Sequence, residues 1–192
     1  MSSVEVLPLT PERWPDLEAL FGPRGAVGGC WCMWWRVPAS AWESGKGEPN
    51  RKALRAIVDD GQSPGLLAYL KGKPVGWCSV APRQDFTRLQ RSRVLKPVDD
   101  TPVWSVVCFF IARGHRSKGV GSALLRAATD FAAGRGAAVV EGYPVDPKVG
   151  RMPDTFAYTG VPSMFIRAGF EEVERRSPGR PIMRKRLAST RP

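Results

Sequence analysis

The apolar positions of the chain follow two periods, and one stretch uses both. Val103 to Ile111 (VWSVVCFFI) is a nearly unbroken apolar run rich in β-branched and aromatic side chains. A run this short and continuous predicts a strand buried on both faces. Gly114 to Gly121 follows as a basic, glycine-bearing turn. Val120, Leu124, Ala128, Phe131 and Ala132 then recur at helical spacing, with Arg126, Thr129 and Asp130 on other faces. The unit reads strand, glycine turn, helix. Upstream, Val4 to Leu7 reads as a short strand. A helix begins at Pro11 behind Thr10 as cap, carries Trp14, Leu17, Leu20 and Phe21, and stops before Gly22-Pro23. Arg51 to Val58 has an apolar helical stripe (Ala53, Leu54, Ile57, Val58). Leu66 to Leu70 and Val75 to Val80 form a hairpin around Lys71-Gly72-Lys73-Pro74. Ala137 to Gly142 predicts a strand one crossover helix away from Val103 to Ile111, so the two pair in parallel, right-handed. Ser163 to Ala168 reads as a short helix, and Glu171 to Arg176 and Ile182 to Leu187 as closing strands. Ala41 to Pro49 is polar and flexible, Arg83 to Asp100 is a long basic loop, and residues 188–192 read as a frayed tail.

The turn has the chemistry of an anion cradle. The first turn of a helix carries backbone N–H groups without intrahelical partners, and the dipole adds positive charge there. Glycine lets the backbone approach a phosphate, and Arg116 and Lys118 add full charges. The spacing is Arg116-x-x-Gly119-x-Gly121, which is neither the dinucleotide G-x-G-x-x-G nor a G-x-x-x-x-G-K-[ST] loop. In this context the segment resembles the acetyl-coenzyme A binding motif of the GNAT N-acetyltransferase superfamily, Gln/Arg-x-x-Gly-x-Gly/Ala between a central strand and a helix. That resemblance implies an α/β fold spanning residues 1–192 as a single domain. Its central sheet is mixed and mostly antiparallel, of about six to seven strands with one parallel, splayed pair, flanked by about four helices. It further implies an enzyme that moves acetyl from acetyl-coenzyme A to a primary amine. Arg116, Ser117, Lys118, Gly119, Val120, Gly121 and Ser122 would hold the pyrophosphate. Phe109, Phe110 and Ile111 would bind the pantetheine arm through their backbone.

The resemblance also places the region between the first two helices at the acceptor site. Here four of the seven tryptophans gather: Trp31, Trp34, Trp35 and Trp42, with Cys30, Cys32, Met33 and Arg36 among them. Trp31, Trp34 and Trp35 are the candidate acceptor-binding residues, since indole faces hold flat or cationic groups by about 0.5–2 kcal/mol each. The competing reading is hydrophobic packing over the sheet, with the thiols as small apolar groups. Glu141, at the end of an apolar strand, is the leading candidate base. A strand-end salt bridge is its alternative role, and Asp146 is the weaker candidate. Many members of the superfamily place a Tyr four residues before the Gly-Phe that ends the late helix. Here Gly169-Phe170 is preceded by Phe165, so the proton donor to the departing thiolate falls to Tyr158, to Ser163 or to solvent.

Composition changes this picture little. No apolar run approaches the roughly 20 residues of a membrane span, and the N-terminal residues show no secretory signal. Four cysteines without a disulfide-framework spacing suit reduced thiols in a cytoplasm. Cys30-x-Cys32 is too tight for a zinc knuckle, and the single His115 lies in the phosphate turn. The net charge of +11 favours polyanionic partners, coenzyme A among them and tRNA another. The acceptor expected is a small amine of the antibiotic, amino acid or polyamine class. The basic stretch Arg83 to Lys96 keeps open a macromolecular amine, on an aminoacyl-tRNA or a protein N-terminus. Phe165 keeps open a non-catalytic coenzyme A sensor or nucleic-acid-binding domain. Members of the superfamily often dimerise, so the resemblance leaves a homodimer open, and no segment states an interface.

Overall fold

A computed structural model describes residues 3–147 and 158–187. Seven strands, β1 (Glu5–Pro8), β2 (Gly65–Leu70), β3 (Lys73–Pro82), β4 (Trp104–Ile111), β5 (Val139–Gly142), β6 (Glu171–Glu174) and β7 (Ile182–Arg186), form one sheet ordered β1-β2-β3-β4-β5-β7-β6. Every neighbouring pair is antiparallel except β4 and β5. The helices among the described residues are α1 (Trp14–Phe21), α2 (Trp42–Gly45), α3 (Glu48–Asp59), α4 (Thr87–Arg91), α5 (Val120–Ala133) and α6 (Pro162–Arg167). None is long and apolar enough to cross a membrane.

The predicted strand–turn–helix is β4–α5. The stripe Val120, Leu124, Leu125, Ala128 and Ala132 is buried on one face of the sheet against Val106, Phe109 and Val140. The other face is covered by α1, α3 and the segment between α1 and α2, through Leu17, Phe21, Leu54, Val58 and Trp77. The number of helices differs from expectation because α2 and α4 are single turns inside stretches that read as irregular. The basic loop is also less exposed than its composition suggests. Phe86, Leu89 and Leu95 are buried beside Val107, Tyr143 and Ile182, because three apolar residues spaced among many charges are enough to anchor a loop. The tail 188–192 lies outside the described residues.

Two features of the centre position the site. Val107 is a β-bulge: Ser79 pairs with Cys108 and Val80 with Val106, so nothing stands opposite Val107. In addition, β4 and β5 pair only from Trp104 to Val106 against Val140 to Gly142. Beyond Val106, β4 continues to Ile111 with a partner on the β3 side alone. Phe165 packs into the resulting opening, edge-on to Phe109 and Phe170 at 6.4 and 5.2 Å between ring centres. Gly142 is required there, since a Cβ would stand 2.0 Å from Phe165 Cε1.

Candidate active site

The turn after β4 has the form an anion site needs. Ser117 and Gly119 both take positive φ (57° and 79°), which turns the chain into α5. The Ala123 N–H reaches Gly119 C=O at 3.0 Å, so the amides of Val120, Gly121 and Ser122 lie ahead of the first bond of the helix. Arg116 Nε donates to Ile111 C=O at 3.3 Å and ties the turn back to β4. Residues 116–119 are exposed. A Cβ added at Gly119 would meet nothing within 4 Å, and one at Gly121 would meet only Met164 Sδ at 3.3 Å. The loop is thus exposed and uncrowded at Gly119, with three amides left over by the helix and the charges of Arg116 and Lys118, and its residues fit a diphosphate.

On the face opposite α5, a cavity of about 500 Å³ adjoins the end of β4. Phe109 and Phe110 contribute from β4, Trp34, Trp35 and Trp42 from the segment leading into and starting α2, and Tyr158 from the residues just before α6. Trp34 and Trp42 meet edge to face at 4.8 Å. The Arg88 guanidinium lies over Trp34 at 3.6 Å and Arg36 over Phe86 at 4.7 Å. No Asp or Glu lines the cavity among the described residues. Three thiols do: Cys30, Cys32 and Cys108. Tyr158 is half-buried, and burial, the first of several causes, pushes its hydroxyl up to about 12.

Two expectations change. Trp31 is a core residue, 6% exposed, stacked on Trp14 at 6.0 Å and edge-on to Phe21 at 5.6 Å. The strip of four tryptophans divides because successive residues in a turn point to different sides, so Trp34, Trp35 and Trp42 reach the cavity and Trp31 does not. Glu141 is also withdrawn from the site. It is 1% exposed. Its Oε1 accepts from Arg184 Nε at 2.6 Å, and its Oε2 accepts from the Tyr143 hydroxyl at 2.7 Å and from Arg83 Nη1 at 3.3 Å. Ser105 shares the Tyr143 hydroxyl at 2.7 Å, and Asp99 takes the far side of Arg184 at 2.6 and 3.1 Å. None of these groups lines the cavity. Buried away from the cavity and held by two guanidinium groups and a phenol, Glu141 takes the salt-bridge role. Arg83, one of the basic-loop residues, is spent on the same network, and its Nη2 donates to Leu89 C=O at 3.1 Å.

The other candidates are elsewhere. Asp146 pairs with Arg175 at 3.0 Å, and Ser163 is exposed on α6. Phe165 is fully buried, so the family's usual tyrosine position holds a sealed ring.

Comparison with known proteins identifies the family and the fold. Residues 31–145 match the model of the acetyltransferase (GNAT) family. No curated protein matches the chain in sequence. Among solved structures, the chain is similar to the PaiA N-acetyltransferase of Thermoplasma acidophilum in complex with coenzyme A. The identity is 16% over 96% of this chain and 99% of that one, with a TM-score of 0.55. A GNAT-family acetyltransferase from Listeria monocytogenes is 10% identical over 97% and 98% of the two chains, TM-score 0.58. The ribosomal-protein-alanine N-acetyltransferase of Brucella melitensis is 18% identical over 95% and 99%, TM-score 0.54.

Proposed function

Given that the chain belongs to the acetyltransferase (GNAT) family and is an acetyl-coenzyme A-dependent acyltransferase, we propose that its acceptor is a primary amine on a small, predominantly apolar molecule. The observation that carries this reading is the tryptophan-walled cavity at the end of β4. Its size suits one small ligand. Its wall offers indole and phenyl faces, and the Arg88 guanidinium lies over one of them, Trp34. A polyamine or aminoglycoside needs carboxylates to replace its water, and the described wall supplies none.

The bound cofactor supplies an acyl group already activated as a thioester. The amides and side chains from Arg116 to Ser122 hold its diphosphate at the start of α5. The backbone of Phe109 to Ile111, paired with no strand on the side away from β3, lines the pantetheine path. Trp34, Trp35 and Trp42 hold the body of the acceptor. Tyr158 keeps its proton across the working pH range, since its hydroxyl titrates near 12 and a departing thiol titrates near 8.5. It therefore stabilises the thiolate by donating a hydrogen bond.

The test is release of free coenzyme A with a panel of amines. Phenethylamine-like acceptors are expected to exceed spermidine and an aminoglycoside at least tenfold in kcat/KM, and Trp34→Ala to lower that ratio. A preference for the polycations would overturn the reading.

A further inference from the structure

A second cavity, of about 360 Å³, lies at the other end of β4. Trp104, which opens β4, stands in its wall. The phosphate turn follows Ile111, so a rise of about 3.3 Å per residue puts the two sites roughly 20 Å apart. Arg36, Arg135, Asp85, Gln62 and Ser63 also line this cavity. Arg36 faces it and not the acceptor cavity, whereas its neighbour Trp35 lines the acceptor cavity and not this one.

Arg36 is the anomaly. Its side chain is 7% exposed, as buried as those of Arg83 and Arg184 at 8% and 7%. Those two donate to Glu141 and to further acceptors. Arg36 Nε and Nη2 are buried without a partner among the described residues. Its Nη1 stands 3.9 Å from Asp85 Oδ2, beyond hydrogen-bond distance. The Phe86 ring, 4.7 Å away, covers one face of the guanidinium and accepts no in-plane hydrogen bond. Buried donors without acceptors are costly and rare, and a buried cation without a close counter-ion is costlier still. A second cation, Arg135, is exposed at the same cavity, stacked over Phe131 at 3.5 Å. Two guanidinium groups thus share the wall with one carboxylate.

We propose that this cavity is a second ligand site, which takes a small molecule through an oxyanion, carboxylate or phosphate, held on the Arg36 guanidinium. The planar fork of an arginine matches either head group with two parallel hydrogen bonds. Arg135 closes on the same charge from the solvent side, and Gln62 and Ser63 add an amide and a hydroxyl. The volume suits one small organic ligand. The site is independent of acetyl transfer, since none of its residues belongs to the phosphate turn or to the acceptor cavity.

The test is calorimetric titration of the whole protein with inorganic phosphate and, separately, with succinate, at constant ionic strength in chloride. Saturable binding of one anion per chain is expected, with Tm rising with its concentration. The tighter of the two probes identifies the head group. Arg36→Met is expected to weaken binding at least tenfold. Without anion its Tm is expected to be no lower than wild type, because the change removes an uncompensated buried charge. Arg135→Ala alters an exposed side chain and is expected to weaken binding severalfold with Tm unchanged. Asp85→Asn removes the competing carboxylate and is expected to tighten it. Lys118→Ala, in the phosphate turn, is expected to leave binding of both probes within twofold. No saturable binding of either probe overturns the proposal. So does binding that survives Arg36→Met and is lost in Lys118→Ala, which puts the anion in the phosphate turn. A Tm that falls by several degrees in both Arg36→Met and Asp85→Asn without anion also overturns it, because Arg36 is then the structural partner of Asp85.

Discussion

Glu141→Gln separates a structural carboxylate from a catalytic one. The substitution keeps the shape of the side chain and removes its charge from a site that is 1% exposed. Two guanidinium groups then lose a partner. Arg184 retains Asp99 at 2.6 Å, so most of the cost falls on Arg83, whose remaining acceptors are the Tyr143 hydroxyl and main-chain carbonyls. Removing one member of a buried pair costs about 3–5 kcal/mol, and the surviving Arg184–Asp99 pair puts this case at the lower end. For a domain of this length, about 2–4 °C of Tm per kcal/mol gives a drop of roughly 6–12 °C. Thermal unfolding and urea titration measure it. Coenzyme A release per folded molecule, measured well below the variant's Tm, is expected to stay within threefold of wild type. The double change Arg83→Met with Glu141→Gln is expected to be less destabilised than Glu141→Gln alone, because no guanidinium is left buried without its partner. A variant with unchanged Tm and activity lowered a hundredfold would refute the reasoning and return Glu141 to the role of base.

Gly119→Ala puts a Cβ at φ 79° in open space, so its cost is backbone strain of about 1–2 kcal/mol. The expected result is coenzyme A affinity at least tenfold weaker by calorimetry with a Tm shift of only a few degrees. Phe165→Tyr restores the residue common in the family but buries a hydroxyl among Phe109, Phe170 and Gly142, at about 1–3 kcal/mol. It is expected to lower stability in urea titration and leave kcat no higher. Tyr158→Phe is expected to reduce kcat about tenfold or more without changing coenzyme A affinity. The pH profile of the wild type should show no alkaline loss from Tyr158 below about pH 11, since its hydroxyl titrates near 12.

What the sequence reveals and conceals follows the range of the interactions. β4, its turn and α5 are legible because strand period, glycine turn and helical period lie within thirty consecutive residues. The β2–β3 hairpin is legible because Lys71-Gly72 carries its own turn chemistry. The Glu141 network is not, because its members, Arg83, Asp99, Ser105, Tyr143 and Arg184, meet only when β4, β5, β7 and the 83–100 segment converge. An acidic residue after an apolar strand looks the same from the sequence whether it faces a ligand or two arginines. The same limit applies at the acceptor site. The tryptophans announce an aromatic region, but which of them face the cavity depends on the positive-φ turn at Trp31 and Cys32.

A crystal structure of the protein with coenzyme A bound tests the central claim most directly. The account predicts diphosphate oxygens within about 3.2 Å of main-chain nitrogens between Arg116 and Ser122, and the sulfur beside Phe109, at the mouth of the cavity walled by Trp34, Trp35 and Trp42. A diphosphate held elsewhere, or a sulfur that ends away from that cavity, would contradict it.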